Sequence, residues 1–178
     1  MKLLLSPHHD DETLFAAFTI IRERPHVVVC YGSERDYGST ATRAQESAAA
    51  TEILGASSFE WWECPVGDEN FLHSRLVAFD RDASTKNDPI EHVWAPHELG
   101  SHRDHALLGR VAADVFRGRL TPYSTYGEPH SETVLVQHAP EWTLLKLRAL
   151  ACYRSQIRHP RANKFFMQGL HEYVGRDV

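Results

Sequence analysis

The sequence predicts an α/β fold, a mostly parallel sheet flanked by helices. Apolar runs of strand length alternate with amphipathic segments of helix length along the whole chain. The run HVVVCY at residues 26–31 is β-branched and apolar on both faces, the pattern of a strand covered on both sides. The alanine-rich segment TATRAQESAAATEIL at 40–54 ends at Gly55, a helix with its usual stop signal.

Taken in order, Leu3–Leu5 reads as a first strand and Thr13–Glu23 as a helix with Leu14, Phe18 and Ile21 on one face. His26–Tyr31 is the second strand, and Thr40–Leu54 the second helix. Phe59–Cys64 is expected as a third strand and Glu69–Asp80 as a helix. His92–Ala95 reads as a fourth strand, followed by a helix over Asp104–Phe116. A short strand pair is expected at Ser124–Tyr126 and Thr133–Gln137, then a helix over Trp142–Gln156 and a last helix over Pro160–Tyr173. Alternation of this kind argues a parallel sheet, whose ligands sit beyond the carboxyl ends of the strands. The arrangement is Rossmann-like, but no GxGxxG follows the first strand, so a dinucleotide site lacks its fingerprint.

Composition narrows the class. With 178 residues, 42% hydrophobic and 24% charged, the chain has the makeup of one globular domain. A formal charge of −5 offers no basic footprint for nucleic acid. No run of 18 apolar residues suggests a membrane span. The opening leucines stop at Ser6-Pro7-His8, short of a signal-peptide core, and read as strand. Three widely spaced cysteines, Cys30, Cys64 and Cys152, form no CxxC pair and are expected as free thiols in a reducing cytoplasm.

The chemistry is concentrated in two places. HHDDE, residues 8–12, follows the first strand, and PHELGSHRDHALLG, with His97, His102, Asp104 and His105, follows the fourth. The two clusters lie about 90 residues apart in sequence but at equivalent strand ends, so the predicted fold brings them to one crevice. Imidazoles and carboxylates without thiolate suit zinc or another divalent first-row metal. A dication beside adjacent aspartates removes the repulsion between them, and a free carboxylate next to it can take a proton from ligated water. A solvated strand end is the bland alternative for HHDDE alone, weakened by the matching cluster. HRD also occurs in the kinase catalytic loop, but no glycine-rich loop or DFG accompanies it here. The remaining histidines have no partner in spacing, and His97 reads as a loop residue. Phe59, Trp61, Trp62, Phe165 and Phe166 read as core packing, with a sugar-stacking platform as the alternative.

These residues resemble a known family. His8-His9-Asp10-Asp11-Glu12 is similar to the (A/P)HPDDE signature of the PIG-L/LmbE-like zinc-dependent N-deacetylases, and His102-Arg103-Asp104-His105 to their HPDH or HxxH motif. Arg43 and Glu46 in TRAQESAAATEILG resemble the family's R-x-x-E helix, and KLRALACYRSQ at 146–156 its late K-x-x-A-L-x-x-Y-x-S-Q segment. Four segments in order span the chain, so residues 1–178 are read as a single deacetylase domain. The resemblance implies that His8, Asp11 and His105 ligate the metal and that Asp10 is the general base. It makes His102 the imidazole facing the substrate carbonyl, with Asp104 orienting a histidine of the second cluster. Glu12 is expected to support the site or the helix start, and Arg43 to reach the substrate with Glu46 holding it.

The sequence departs from the pattern at three positions. His9 and Arg103 stand where relatives carry proline, and Ser101 where glycine is common. His9 and Arg103 are therefore added as candidate substrate contacts, His9 also as a competing ligand. The expected activity is removal of an acetyl group from an N-acetylated amino sugar or its conjugate, of the GlcNAc type, with Zn2+ as cofactor and Fe2+ as the alternative. Two other readings stand beside it: an amidase for a bulkier or non-sugar N-acyl substrate, and a metal- or sugar-binding relative without turnover. The expected partner is a small molecule, and a homo-oligomer is compatible with the sequence.

Overall fold

The computed structural model describes residues 1–32, 39–126, 129–158 and 171–175. The elements run β1 (Lys2–Ser6), α1 (Asp11–Glu23), β2 (His26–Tyr31), α2 (Thr40–Leu54), β3 (Ser58–Cys64), α3 (Glu69–Thr85) and β4 (His92–Pro96). They continue with α4 (Arg103–Val115), β5 (Leu120–Tyr123), β6 (Thr133–Leu135), α5 (Pro140–Leu150), α6 (Arg154–Ile157) and β7 (Tyr173–Gly175). The seven strands form one sheet in the order β3-β2-β1-β4-β5-β7-β6. The first five pair in parallel, and β7 runs antiparallel to both β5 and β6.

Alternation along β1 divides the core into two layers. Leu3 and Leu5 join Val28, Val93 and Ala95 under α3 and α4, through Leu72, Leu76, Leu108 and Val111. Leu4 faces the other way, with Val27, Trp94 and Tyr123, under α1, α2 and α5. The chain winds outward from β1 to β3 and then returns to place β4 on the other side of β1. The carboxyl ends of β1 and β4 are thus a topological switch point, where open α/β sheets hold their ligands. Gly109 lets α4 pack closely there, since a Cβ at that position would stand 2.3 Å from the Pro96 carbonyl oxygen.

The first 116 residues follow the sequence expectation closely; α3 runs on to Thr85. The rest differs. The expected pair of 124–126 with 133–137 does not form: β5 lies earlier and extends the parallel sheet, and β6 pairs with β7. The helix expected over 142–156 is broken after Leu150, because Tyr153 turns inward to the start of α1 and Glu46 takes the backbone N–H and hydroxyl of Ser155. The last expected helix lies mostly outside the described residues, as do Phe165 and Phe166, but its end at Tyr173 belongs to β7.

Helix α1 has a non-helical residue at Ala16, φ −137°. The Leu14 carbonyl accepts from Lys146 Nζ at 2.7 Å, and the Phe18 N–H donates to Glu172 at 2.9 Å. Lys146 and Glu172 are fully buried and 2.7 Å apart, so one ion pair completes backbone hydrogen bonding around the bend. This fixes the course of the helix whose first turn carries Asp11 and Glu12.

Candidate metal centre

The turn from β1 into α1 is tight and fully bonded. Ser6 donates its hydroxyl to the His8 carbonyl at 3.0 Å, and the Asp10 N–H donates to Glu12 at 3.1 Å. Asp10, the N-cap residue, has φ 108°, outside the range a side-chain-bearing residue ordinarily adopts. His8 and His9 face opposite sides of the motif, His8 toward Asp11 and Asp104 and His9 toward Ser47.

On the crevice side, His8, Asp11 and His105 present ligand-type atoms within 4.8 Å of one another. Oδ2 of Asp11 lies 3.2 Å from His8 Nδ1 and 3.0 Å from His105 Nε2. His105 is fully buried, and neither of its ring nitrogens makes a hydrogen bond. Its Nε2 approaches Asp11 without hydrogen-bond alignment, so the close contact is not one that satisfies either group. An orphaned buried imidazole beside a carboxylate and a second imidazole fits a borderline-soft dication. His102, exposed as the N-cap residue of α4, brings its ring 4.6 Å from that of His105 and 5.5 Å from that of His8.

Asp104 does not bond a histidine of its own cluster. Its Oδ2 lies 3.2 Å from His8 Nε2, linking the second motif to the first. Were His8 to hold a metal, this would be the carboxylate support that ligating imidazoles generally have. Burial disfavours charge on His8, yet the bonds to Asp104 and Asp11 outweigh it and raise its pKa to about 9. Burial alone would raise Asp11, but His105 and His8 hold it well below the carboxylate range. For Asp10 burial wins: its pKa is pushed up, reinforced by Asp11 and Glu12 and opposed by Arg43. Adjacent aspartates are thus driven apart, one held as an anion and the other with its hold on a proton strengthened.

The structure places the expected substrate contacts His9, Arg43 and Arg103 in three different settings. His9 faces away from the crevice: it is fully buried, and its Nδ1 meets Ser47 Oγ of α2 at 3.2 Å. Arg43 is buried and donates to Asp10 Oδ2 at 2.8 Å and to the His9 carbonyl. Glu46 does not hold it, being bonded to Ser155. Arg103 is exposed beside His102, and its side chain makes no hydrogen bond or ion pair among the described residues. His97 lies apart from the triad, stacked on His130 at 3.9 Å in a separate groove.

Sequence reasoning missed two tyrosines. Tyr153 donates to the Glu12 carboxylate, tying the late segment to the motif. Tyr126 follows β5, its hydroxyl 3.4 Å from Asp11 Oδ1. The Tyr in K-x-x-A-L-x-x-Y carried a signal for the first; no periodicity marked the second.

Fold and site together define an α/β protein with a three-histidine, paired-aspartate centre at the switch point of its sheet. The chain belongs to the PIG-L family, described as GlcNAc-PI de-N-acetylase, whose model matches residues 3–116. No curated protein matches it in sequence. Among solved structures it is similar to the conserved protein TT1542 from Thermus thermophilus, with 19% identity and a TM-score of 0.78 over 99% of this chain and 94% of that one. It is similar to the N,N'-diacetylchitobiose deacetylase from Pyrococcus horikoshii, at 20% identity and TM-score 0.69 over 95% and 74% of the two chains. The zinc-inhibited form of teicoplanin deacetylase Orf2 matches at 15% identity and TM-score 0.67, over 93% and 89%. These likenesses support the fold.

Proposed function

We propose that the chain is a zinc-dependent N-deacetylase acting on an N-acetylated amino sugar or a conjugate of one. The observation that carries this reading is the convergence of His8, Asp11 and His105 beside Asp10, whose neighbouring carboxylate behaves oppositely. His8, Asp11 and His105 would hold the metal, Zn2+ with Fe2+ as the alternative. When bound, the metal would polarise the acyl carbonyl and lower the pKa of water.

The chain's residues account for the rest. Asp10 takes a proton as water adds to the amide carbon, and Arg43 holds that carboxylate in place through Oδ2. Partial desolvation together with His105 and His8 keeps the pKa of His102 below its ordinary value. Its imidazole can therefore hydrogen-bond the oxyanion or pass the proton on. Cleavage of the C–N bond returns that proton to the leaving nitrogen, from Asp10 or through His102, giving acetate and a free amine. The family's description and the activity of the chitobiose enzyme support an N-acetylated sugar as substrate. Buried free thiols at Cys30 and Cys64 support a cytoplasmic setting. No helix among the described residues is long and apolar enough to cross a membrane.

The test is acetate release from a panel of N-acetylglucosaminyl compounds. Activity is expected with Zn2+ or Fe2+, lost on chelation and restored by metal. Silence across the panel with metal retained favours the bulkier-acyl amidase, to which the exposed Arg103 at the mouth points.

A further inference from the structure

Resting on the metal reading above, the structure assigns Tyr126 as a positioning residue. Its phenol holds one oxygen of Asp11 so that the other is presented to the two imidazoles. The argument begins with how Asp11 divides its oxygens. Oδ2 faces the His8 backbone N–H at 3.2 Å, His8 Nδ1 at 3.2 Å and His105 Nε2 at 3.0 Å. Oδ1 faces Tyr126, with the hydroxyl 3.4 Å away. A carboxylate that is free to rotate can bind a dication through one oxygen or both. A donor on the far oxygen selects the first mode and fixes the ligand's orientation.

Tyr126 is itself held from three directions. Its ring meets Phe15 of α1 edge-on at 4.8 Å, and lies 5.3 Å from the His105 ring and 6.1 Å from that of His102. Its carbonyl accepts from the Ser101 hydroxyl at 3.2 Å, just before His102. One residue beyond β5 therefore touches both motifs, which lie on different strand ends. Ser101, where relatives commonly carry glycine, supplies the side chain for that link.

The experiment separates the hydroxyl from the ring. Full-length protein is stripped of metal, and Zn2+ affinity is measured by competition with a chromophoric chelator for wild type, Tyr126→Phe and Asp11→Asn. Tyr126→Phe keeps the ring contacts and is expected to bind Zn2+ about 10- to 100-fold more weakly. With Co2+ in place of zinc, its visible absorption should weaken as Oδ1 joins the coordination and raises the ligand number. Unchanged zinc affinity, or weaker affinity with an unchanged cobalt spectrum, overturns the assignment, the latter outcome marking a packing role. Asp11→Asn keeps the two failures apart: if it binds Zn2+ like wild type, the metal reading itself fails.

Discussion

His8 and His9 are neighbours in the chain, and their surroundings drive them in opposite directions. Burial opposes charge on both. Bonds to Asp104 and Asp11 nevertheless raise His8 to about 9, whereas His9, near Arg43 and without a bonded carboxylate, falls to about 3. The difference divides the first motif into two faces. The crevice face gathers charge that a dication can neutralise. The rear face is a neutral imidazole with Ser47, and beside it Glu12 bonded by Ser6 and Tyr153. Function and stability should therefore respond to different substitutions only two or three residues apart.

The largest effects are expected on the crevice face. Asp11→Asn removes the anion that both imidazoles approach, so zinc should be lost. Activity should fall with it by on the order of a thousandfold or more, as several kcal/mol of charge stabilisation disappear. Asp10→Asn should keep its zinc and lose about 10²- to 10⁴-fold in activity, the range of a missing general base. Metal content and acetate release measured on the same samples check both. Full zinc occupancy in the Asp11 variant would erase the distinction between the faces.

The rear face should fail differently. Tyr153→Phe leaves the buried Glu12 carboxylate without its phenolic donor, at a cost of about 1–3 kcal/mol. For a chain of this length that lowers the melting midpoint by roughly 2–12 °C. Zinc stoichiometry should not change. A variant that melts like wild type but loses metal would show that the two faces act as one unit.

How much of this could be read from the sequence depends on how local the cause is. The strands and helices up to α4 carry their own periodicity, and HHDDE and HRDH mark the ends of two of those strands. What failed rests on distant contacts. LTPY at β5 is short and contains proline, so nothing local marks it as strand; its place comes from β4. The break after Leu150 has no glycine or proline to announce it, because Tyr153 and Ser155 are drawn to Glu12 and Glu46 more than a hundred residues away. Asp104 is expected from the sequence to orient a histidine of its own cluster, and only the folded geometry brings it to His8 across the crevice. Tyr126 had no signal at all, since its meaning arises from the carboxylate it meets.

The smallest effect is a pH dependence, and its sign separates the two histidines. His9 has a native pKa of about 3 against 6.5 in the unfolded chain. Between those values the unfolded state binds the proton, so stability rises with pH and is lost below 6.5, by about 1.4 kcal/mol at pH 5.5. His8 has the opposite sign in metal-free protein. With a native pKa of about 9, its contribution is fully present below pH 6.5 and is lost as pH rises through 9. Denaturant unfolding of metal-free protein across pH 5–9 should therefore lose stability at both ends. His9→Asn, which retains a polar group toward Ser47, should flatten the acid side alone. Added zinc should abolish the alkaline loss alone, because the metal replaces the proton on His8. An acid limb unchanged in His9→Asn would mean that burial of this imidazole is not its source, and the contrast between the two faces would then rest on geometry.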